Sequence, residues 1–148
     1  LRACGKAGML RGKGVMKMRE YKARIVDRIL QAKLEAKGAV VIEGPKWCGK
    51  TTTAMQFAGS ILRLDEPSKR ESNIQMSQIA PERLLQGDIP RLIDEWQIAP
   101  KLWDAARYEV DSRGEVGQFI FTGSAVPIES EEITHSGTGR FTWLTMRP

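Results

Sequence analysis

The chain has 148 residues, of which 41% are hydrophobic and 28% charged, a composition that fits one globular domain. Its two cysteines, Cys4 and Cys48, lie far apart, which argues against a disulfide framework and against a zinc site. No apolar run approaches the length of a membrane span, and no signal peptide is evident. We therefore expect a cytoplasmic protein without a membrane partner.

The net charge of +5 comes entirely from residues 1–17, which contain five basic side chains and no acidic one. These side chains are Arg2, Lys6, Arg11, Lys13 and Lys17. Residues 18–148 are therefore neutral overall, so the charge does not support a nucleic-acid partner, although a basic arm that binds phosphate backbones stays open. The segment 1–17 shows no hydrophobic periodicity and begins with Leu1. We expect a disordered or non-native tail there, and a folded domain over 18–148.

The first patterned segment runs from about Glu20 to Lys37 and has the spacing of an amphipathic helix. Its apolar residues are Tyr21, Ile25, Val26, Ile29, Leu30 and Leu34. Gly38 follows, where helices commonly end in the left-handed conformation. The β-branched run from Val40 to Ile42 then predicts a buried strand.

The segment after this strand, residues 44–51, satisfies the pattern G-x-x-x-x-G-K-[ST] of the phosphate-binding loop. Glycines permit the backbone to curl its N–H groups around a phosphate, and the next helix directs its N-terminus at the same anion. Lys50 is predicted to reach the β- and γ-phosphates as a catalytic residue, and Thr51 to bind Mg²⁺. The predicted nucleotide-binding residues of the loop are Gly44, Pro45, Lys46, Trp47, Cys48, Gly49, Lys50, Thr51 and Thr52.

Beyond the loop, the apolar pattern and the turn residues predict further elements in chain order. These are a helix over residues 52–60, a strand over 61–65, a polar and weakly helical stretch over 66–90, a strand that begins at 91, a helix over 100–112, a strand over 118–124 and a strand over 141–146. Residues 125–139 are polar and predict a loop.

Two adjacent acids, Asp94 and Glu95, directly follow the apolar pair Leu92-Ile93 of the strand that begins at residue 91. Acids at the carboxyl end of a parallel strand are typical of a second nucleotide motif. Asp94 is a candidate ligand for Mg²⁺ that complements Thr51. Strand alternation predicts that Glu95 points elsewhere, as a candidate general base for water. The alternative for the pair is an N-cap of the next helix.

Three later residues are weaker candidates. Thr122 and Ser124 end the strand 118–124, where additional-strand P-loop proteins place a polar residue against the γ-phosphate or the attacking water; ordinary turn residues are the alternative. Arg140 precedes the last strand and is a candidate catalytic arginine, in cis or in trans, with a surface cation as the alternative. His135 is the only histidine and is expected to be structural or solvent-facing.

Several blocks of the sequence come in a recognisable order, namely 44–54, 90–97, 103–104, 121–124 and 135–140. Together they resemble the prokaryotic AAA-type ATP-binding proteins whose P-loop domain precedes a C-terminal domain of unknown function. The resemblance covers about residues 18–148. It implies an α/β P-loop fold of the additional-strand class, with a central parallel sheet of order 5-1-4-3-2 flanked by helices. It also implies ATP and Mg²⁺ as ligands and a natural chain that continues into that C-terminal domain. The sequence does not fix the oligomeric state, and a homo-oligomer stays open as a partner.

Two functions fit these residues. The first is Mg-dependent ATP hydrolysis, which Glu95 favours because binding alone needs no general base. The second is a nucleotide-dependent binding module or switch with little turnover, which the expected C-terminal continuation favours for this piece of chain. A phosphotransferase is weaker, because the sequence shows no acceptor-binding motif.

Overall fold

The computed structural model of the protein describes residues 20–124 and 139–148. Its centre is a five-stranded sheet in which every pairing is parallel. The strands are β1 (Ala39–Glu43), β2 (Ser60–Arg63), β3 (Arg91–Asp94), β4 (Phe119–Gly123) and β5 (Phe141–Thr145). Their order across the sheet is β2-β3-β4-β1-β5, which confirms the predicted order 5-1-4-3-2 and the predicted fold class.

Helices precede β1, lie between the strands from β1 to β4, and cover both faces of the sheet, as parallel sheets require. The helices of the described residues are α1 (Ile25–Ala36), α2 (Lys50–Met55), α3 (Arg70–Ile79), α4 (Pro81–Leu84) and α5 (Lys101–Arg113). A short 3₁₀ helix, Trp96–Ile98, lies between β3 and α5. None of the helices in these residues is long and apolar enough to cross a membrane.

Two apolar clusters hold the layers together, because successive residues of a strand point to opposite faces. Val40 and Ile42 of β1 pack with the buried residues of α1 and α2 on one face. Val41 belongs to the cluster on the other face, which contains α5. The largest side chain of that second cluster, Trp103, is completely buried, and its ring centroid lies 4.4 Å from that of Phe141.

The register of the sheet places all five carboxyl ends at one edge. Across this edge Glu43 pairs with Gly123, Thr122 with Asp94, and Asp94 with Arg63. Strand β4 lies between β1 and β3. The loop that leaves β1 and the acids that end β3 are therefore separated by the width of two strand spacings, about 10 Å.

Helix α1 begins at Ile25, later than the predicted start near Glu20. Arg24 is extended and acts as N-cap residue, because its backbone N–H donates to Asp27 Oδ2 at 2.8 Å. Ile25 is 85% exposed and Ile29 is 43% exposed, whereas Leu30 is fully buried. The predicted apolar face was therefore partly wrong, since the helix turns its Leu30 side and not its Ile25 side to the sheet.

The elements after the loop also differ in length from the prediction. Helix α2 ends at Met55, and Ser60 already belongs to β2. The reason is a backbone bond from Gly59 N–H to Pro90 O of 2.8 Å, which ties the chain to the start of β3. The weakly helical stretch 66–90 contains the two helices α3 and α4. The predictions for residues 1–17, for His135 and for 125–138 lie outside the described residues.

Candidate functional site

The phosphate loop joins the carboxyl end of β1 to the N-terminus of α2. Gly49 is the N-cap residue of α2 and has a φ of 88°, a left-handed conformation that an L side chain disfavours. A Cβ on Gly44, whose φ is 156°, would collide with the backbone oxygen of Met146. The two glycines of the motif are therefore required by the backbone path, independently of any ligand.

Lys50 is bound to the loop from which it extends. Its ammonium group donates to Gly44 O at 2.9 Å and to Pro45 O at 2.7 Å, and the residue is 7% exposed. Both acceptors are neutral carbonyl oxygens, so neither partner carries a formal negative charge. The loop thus holds a buried cation at its centre, next to the positive end of helix α2.

One carboxylate oxygen of Asp94, at the end of β3, accepts hydrogen bonds from α2 and from β4. The hydroxyl of Thr51 donates to Asp94 Oδ1 at 2.8 Å, and the hydroxyl of Thr122 donates to the same atom at 2.6 Å. Asp94 is 5% exposed and Thr122 is 1% exposed. The phosphate loop and the acidic motif therefore meet at Asp94, although Thr51 and Asp94 are 43 positions apart in the chain. A hydroxyl beside a carboxylate is a donor set of hard oxygens, which fits Mg²⁺.

Glu95 leaves the strand in a left-handed conformation, with φ 58° and ψ 48°. This conformation is rare for a residue with a side chain and costs about 1–3 kcal/mol. Strand alternation does not apply here, because β3 ends at Asp94. The expectation that Glu95 points elsewhere than Asp94 was wrong, since both residues line the same cleft. The Nε2 group of Gln97 donates to Glu95 Oε2.

A cleft of about 550 Å³ opens along the carboxyl edge of the sheet. It is lined by Lys46, Trp47, Gly49, Lys50, Thr51, Thr52, Arg63, Asp65, Asp94, Glu95 and Ile98. Most of the predicted site residues are among them. Gly44, Pro45 and Cys48 complete the loop without lining the cleft, and Thr122 lies beneath Asp94. Ser124 directly follows β4 at the same edge and is half-buried.

Arg140 is the candidate that the structure does not bring to this cleft. Its carbonyl oxygen accepts from Ala39 N–H, at the amino end of β1, and its side chain pairs with Asp111 of α5. The phosphate loop leaves the opposite end of β1, which is five residues or about 15 Å long. Because β5 runs parallel to β1, Arg140, which precedes β5, lies at the edge of the sheet opposite to the cleft of its own chain.

Comparison with known proteins agrees with this geometry. A family model described as AAA domain matches residues 36–148, which is most of the chain. The chain belongs to the AAA domain family. A search of curated proteins by sequence found no match. Membership indicates a nucleotide-binding P-loop domain of the AAA type, in agreement with the loop and the all-parallel sheet.

Arg63 and Asp65 of the AAA domain were missed by the sequence analysis. Arg63 ends β2 and is the register partner of Asp94, so both side chains lie on the same face of the sheet. Its guanidinium contacts Met55 Sδ at 3.7 Å, and no carboxylate lies within 4.0 Å of it in the part of the chain that the structure describes. The available signal was their position, because ligands of open α/β sheets bind at the carboxyl ends of strands.

Tyr21 and Arg24, which lie before the matched residues 36–148, were also not predicted as neighbours of the phosphate loop. The guanidinium of Arg24 donates to Cys48 O at 3.4 Å and occupies the space that a Cβ on Gly49 would need. The hydroxyl of Tyr21 donates to Asp27 Oδ1 at 2.6 Å and lies 3.5 Å from Thr53 Oγ1. Burial, and then the bond to Asp27, raises the pKa of Tyr21 above its ordinary value. The segment before α1 therefore fixes the back of the phosphate loop.

Proposed function

We propose that this AAA domain binds ATP together with Mg²⁺ and hydrolyses it to ADP and inorganic phosphate. The observation that supports the proposal most directly is the contact between Thr51 of the phosphate loop and Asp94 of β3. It brings a hydroxyl and a carboxylate together beside a buried lysine, with a second carboxylate, Glu95, in the same cleft. Phosphate binding, metal binding and water activation each need one of these groups.

The nucleotide phosphates would be bound by the backbone N–H groups of residues 44–52 and by Lys50. The ammonium group of Lys50 would exchange its two carbonyl acceptors for oxygens of the β- and γ-phosphates, which are stronger acceptors because they carry charge. Thr51 and Asp94 would hold Mg²⁺, which when bound supplies positive charge to the phosphate oxygens.

Glu95 would act as the general base. It would accept a proton from the water that attacks the γ-phosphate, while Ser124, at the end of the neighbouring strand, would contact the γ-phosphate or that water. Thr122 is better suited to orient Asp94, because its hydroxyl already donates to that carboxylate. Arg63 is available as a further cation at the outer side of the cleft.

Assembly belongs to the same proposal. Arg140 lies at the amino edge of the sheet, so it would reach a nucleotide only in trans, from a neighbouring copy in a homo-oligomer. We further propose that the domain acts in the cytoplasm as the P-loop part of a longer ATP-binding protein with a C-terminal domain, as the family resemblance implies.

A nucleotide-dependent switch is the second candidate function. One observation favours it: Lys50 and Thr51 are both engaged inside the protein, one with loop carbonyls and one with Asp94. Nucleotide and metal would break these bonds and rearrange the loop, even where turnover is slow. The two candidate functions differ in the role of Glu95. The hydrolase needs it as a general base, whereas the switch does not.

Phosphate release with Mg-ATP separates the two functions. We expect Glu95→Gln to lower kcat by about 10²–10⁴-fold while the Kd for ATP changes little, because general-base catalysis contributes on that scale. Lys50→Met should weaken ATP binding itself, and EDTA should stop turnover. Glu82→Gln, an exposed acid on α4, is the matched control and should leave kcat unchanged.

The outcomes distinguish the candidates. If the wild type binds ATP but releases phosphate as slowly as Glu95→Gln, the hydrolase proposal is refuted and the switch stands. If both release phosphate equally fast, only the role of Glu95 as general base is refuted. If neither wild type nor variant binds ATP, both proposals are refuted.

A further inference from the structure

The carboxylate of Glu95 is held in the cleft by a neighbouring side chain. Gln97 lies two positions on, in the 3₁₀ helix, and its Nε2 group donates to Glu95 Oε2. The backbone of the helix closes over the same residue, because Ile98 N–H donates to Glu95 O at 3.1 Å. The left-handed backbone of Glu95 and the amide of Gln97 together fix where the carboxylate lies.

The other end of the Gln97 amide is enclosed. Its Oε1 atom is buried and has no hydrogen-bond partner among residues 20–124 and 139–148. A Cβ on Gly123, the last residue of β4, would collide with this oxygen and would lie 3.1 Å from Trp96 Cδ1. The absence of a side chain at Gly123 therefore leaves the space that the amide occupies.

The amide has only one favourable orientation in this space. Reversed, it would bring its oxygen against the Glu95 carboxylate, where two acceptors repel each other. The neighbouring Trp96 ring is itself fixed, with its centroid 5.0 Å from that of Trp103 and 6.3 Å from that of Phe121. Gln97 is therefore a directional donor, and the residue before it is a tryptophan whose ring is packed against two other rings.

We propose that Gln97 is a positioning residue that orients the Glu95 carboxylate toward the attacking water, and that Gly123 is required because it leaves room for the Gln97 amide. The catalytic part of this inference rests on the proposed hydrolysis of ATP. Strand β4 separates the phosphate loop from β3, so Gly123 also links the carboxyl end of β4 to the position of the general base.

The first test is the kinetics of Gln97→Met, which keeps the length of the side chain and removes the donor. We expect kcat to fall by about tenfold to a hundredfold with an unchanged KM for Mg-ATP, since small misplacement of a catalytic group costs on that scale. In a Glu95→Gln background the same substitution should have no further effect on kcat. Gln86→Met, an exposed glutamine on the surface, is the control.

Gly123→Ala is the second variant. Its φ is not in the left-handed region, so alanine meets no backbone penalty; its methyl group would displace the Gln97 amide and would also press on the Trp96 ring. We expect a loss of kcat at least as large as for Gln97→Met, and a combined loss clearly smaller than the product of the two single losses. A rise of kcat in Gln97→Met would overturn the proposal, because it would mean that Gln97 restrains the carboxylate. Equal losses in the presence and absence of Glu95 would overturn it as well.

A readout without turnover separates this inference from the proposed function. In ¹⁵N-labelled protein, the side-chain N–H protons of Gln97 should exchange slowly and shift downfield, and Glu95→Ala should abolish both properties. If wild-type protein releases no phosphate but this signature is present, ATP hydrolysis is refuted and the orienting contact stands. If Glu95→Ala leaves the Gln97 signals unchanged, the contact itself is refuted.

Discussion

The hydroxyl of Thr122 makes a bond whose removal should destabilise the fold measurably. Thr122→Val keeps the β-branched shape that strands favour and replaces only the hydroxyl by a methyl group. The bond is short, 2.6 Å between Thr122 Oγ1 and Asp94 Oδ1, and both residues are nearly inaccessible to water. In the variant, Asp94 Oδ1 loses the hydrogen bond from Thr122, and water cannot reach this atom to replace it. The change in the free energy of unfolding therefore measures this one bond.

The magnitude follows from the charge of the acceptor and from its remaining partner. Hydrogen bonds to charged groups contribute about 1.5–3 kcal/mol. Thr51 still donates to the same oxygen at 2.8 Å in the variant, so we expect the lower half of that range, about 1.5–2 kcal/mol. For a domain of this size such a loss lowers Tm by about 3–8 °C.

Urea denaturation followed by circular dichroism measures this difference directly. Thr145→Val is the matched control, because Thr145 is exposed at the end of β5 and its hydroxyl lies 3.4 Å from Glu43 Oε1. The control should change the free energy of unfolding by less than about 0.5 kcal/mol. If Thr122→Val is equally neutral, the buried bond does not stabilise the fold, and the reasoning from its charged, water-inaccessible acceptor is refuted.

Three further predictions concern the loop and its surroundings. Gly49→Ala should weaken ATP binding at least about tenfold in calorimetry, since φ 88° costs an alanine about 1–2 kcal/mol and its Cβ displaces a guanidinium; an unchanged Kd would contradict this. Arg140→Ala should leave the Kd for ATP within about twofold, because Arg140 lies at the edge of the sheet opposite to the phosphate loop of its own chain. Its exposed ion pair with Asp111 also contributes little to the stability of the fold. Burial raises the pKa of Tyr21 above 10.0, so the unfolded chain loses that proton first, and the free energy of unfolding should fall as pH rises from 10.0 through the folded-state pKa. Tyr21→Phe should flatten this fall in alkaline urea titrations, and Tyr108→Phe, at an exposed position, should not.

The strand order was predicted from the family resemblance, and the meeting of Thr51 with Asp94 from the position of the two nucleotide motifs at the carboxyl edge of a parallel sheet. Other contacts depend on tertiary packing that no local pattern encodes. Arg24 reaches the loop only because α1 starts late, and Gln97 reaches Glu95 only because the chain turns left-handed after Asp94. These residues have ordinary neighbours in the sequence, so periodicity and spacing did not distinguish them.

The distance of Arg140 from its own chain's cleft follows from the direction of one strand. Its motif position suggested proximity to the nucleotide, whereas the direction of β5 alone decides where a residue ahead of that strand lies. In an all-parallel sheet, residues that precede a strand and residues that follow one lie at opposite edges. Together with the predicted order of parallel strands, this rule places Arg140 at the edge opposite to the phosphate loop of its own chain.

Trp47 gives the phosphate loop an optical reporter of its own. It is fully exposed, with a φ of 67°, whereas Trp96 and Trp103 are buried and Trp143 is half-buried. A neutral collisional quencher such as acrylamide should therefore extinguish mainly the emission of Trp47. Protection of that emission by a nucleotide would follow loop closure in real time, without a dye or a label attached to the protein.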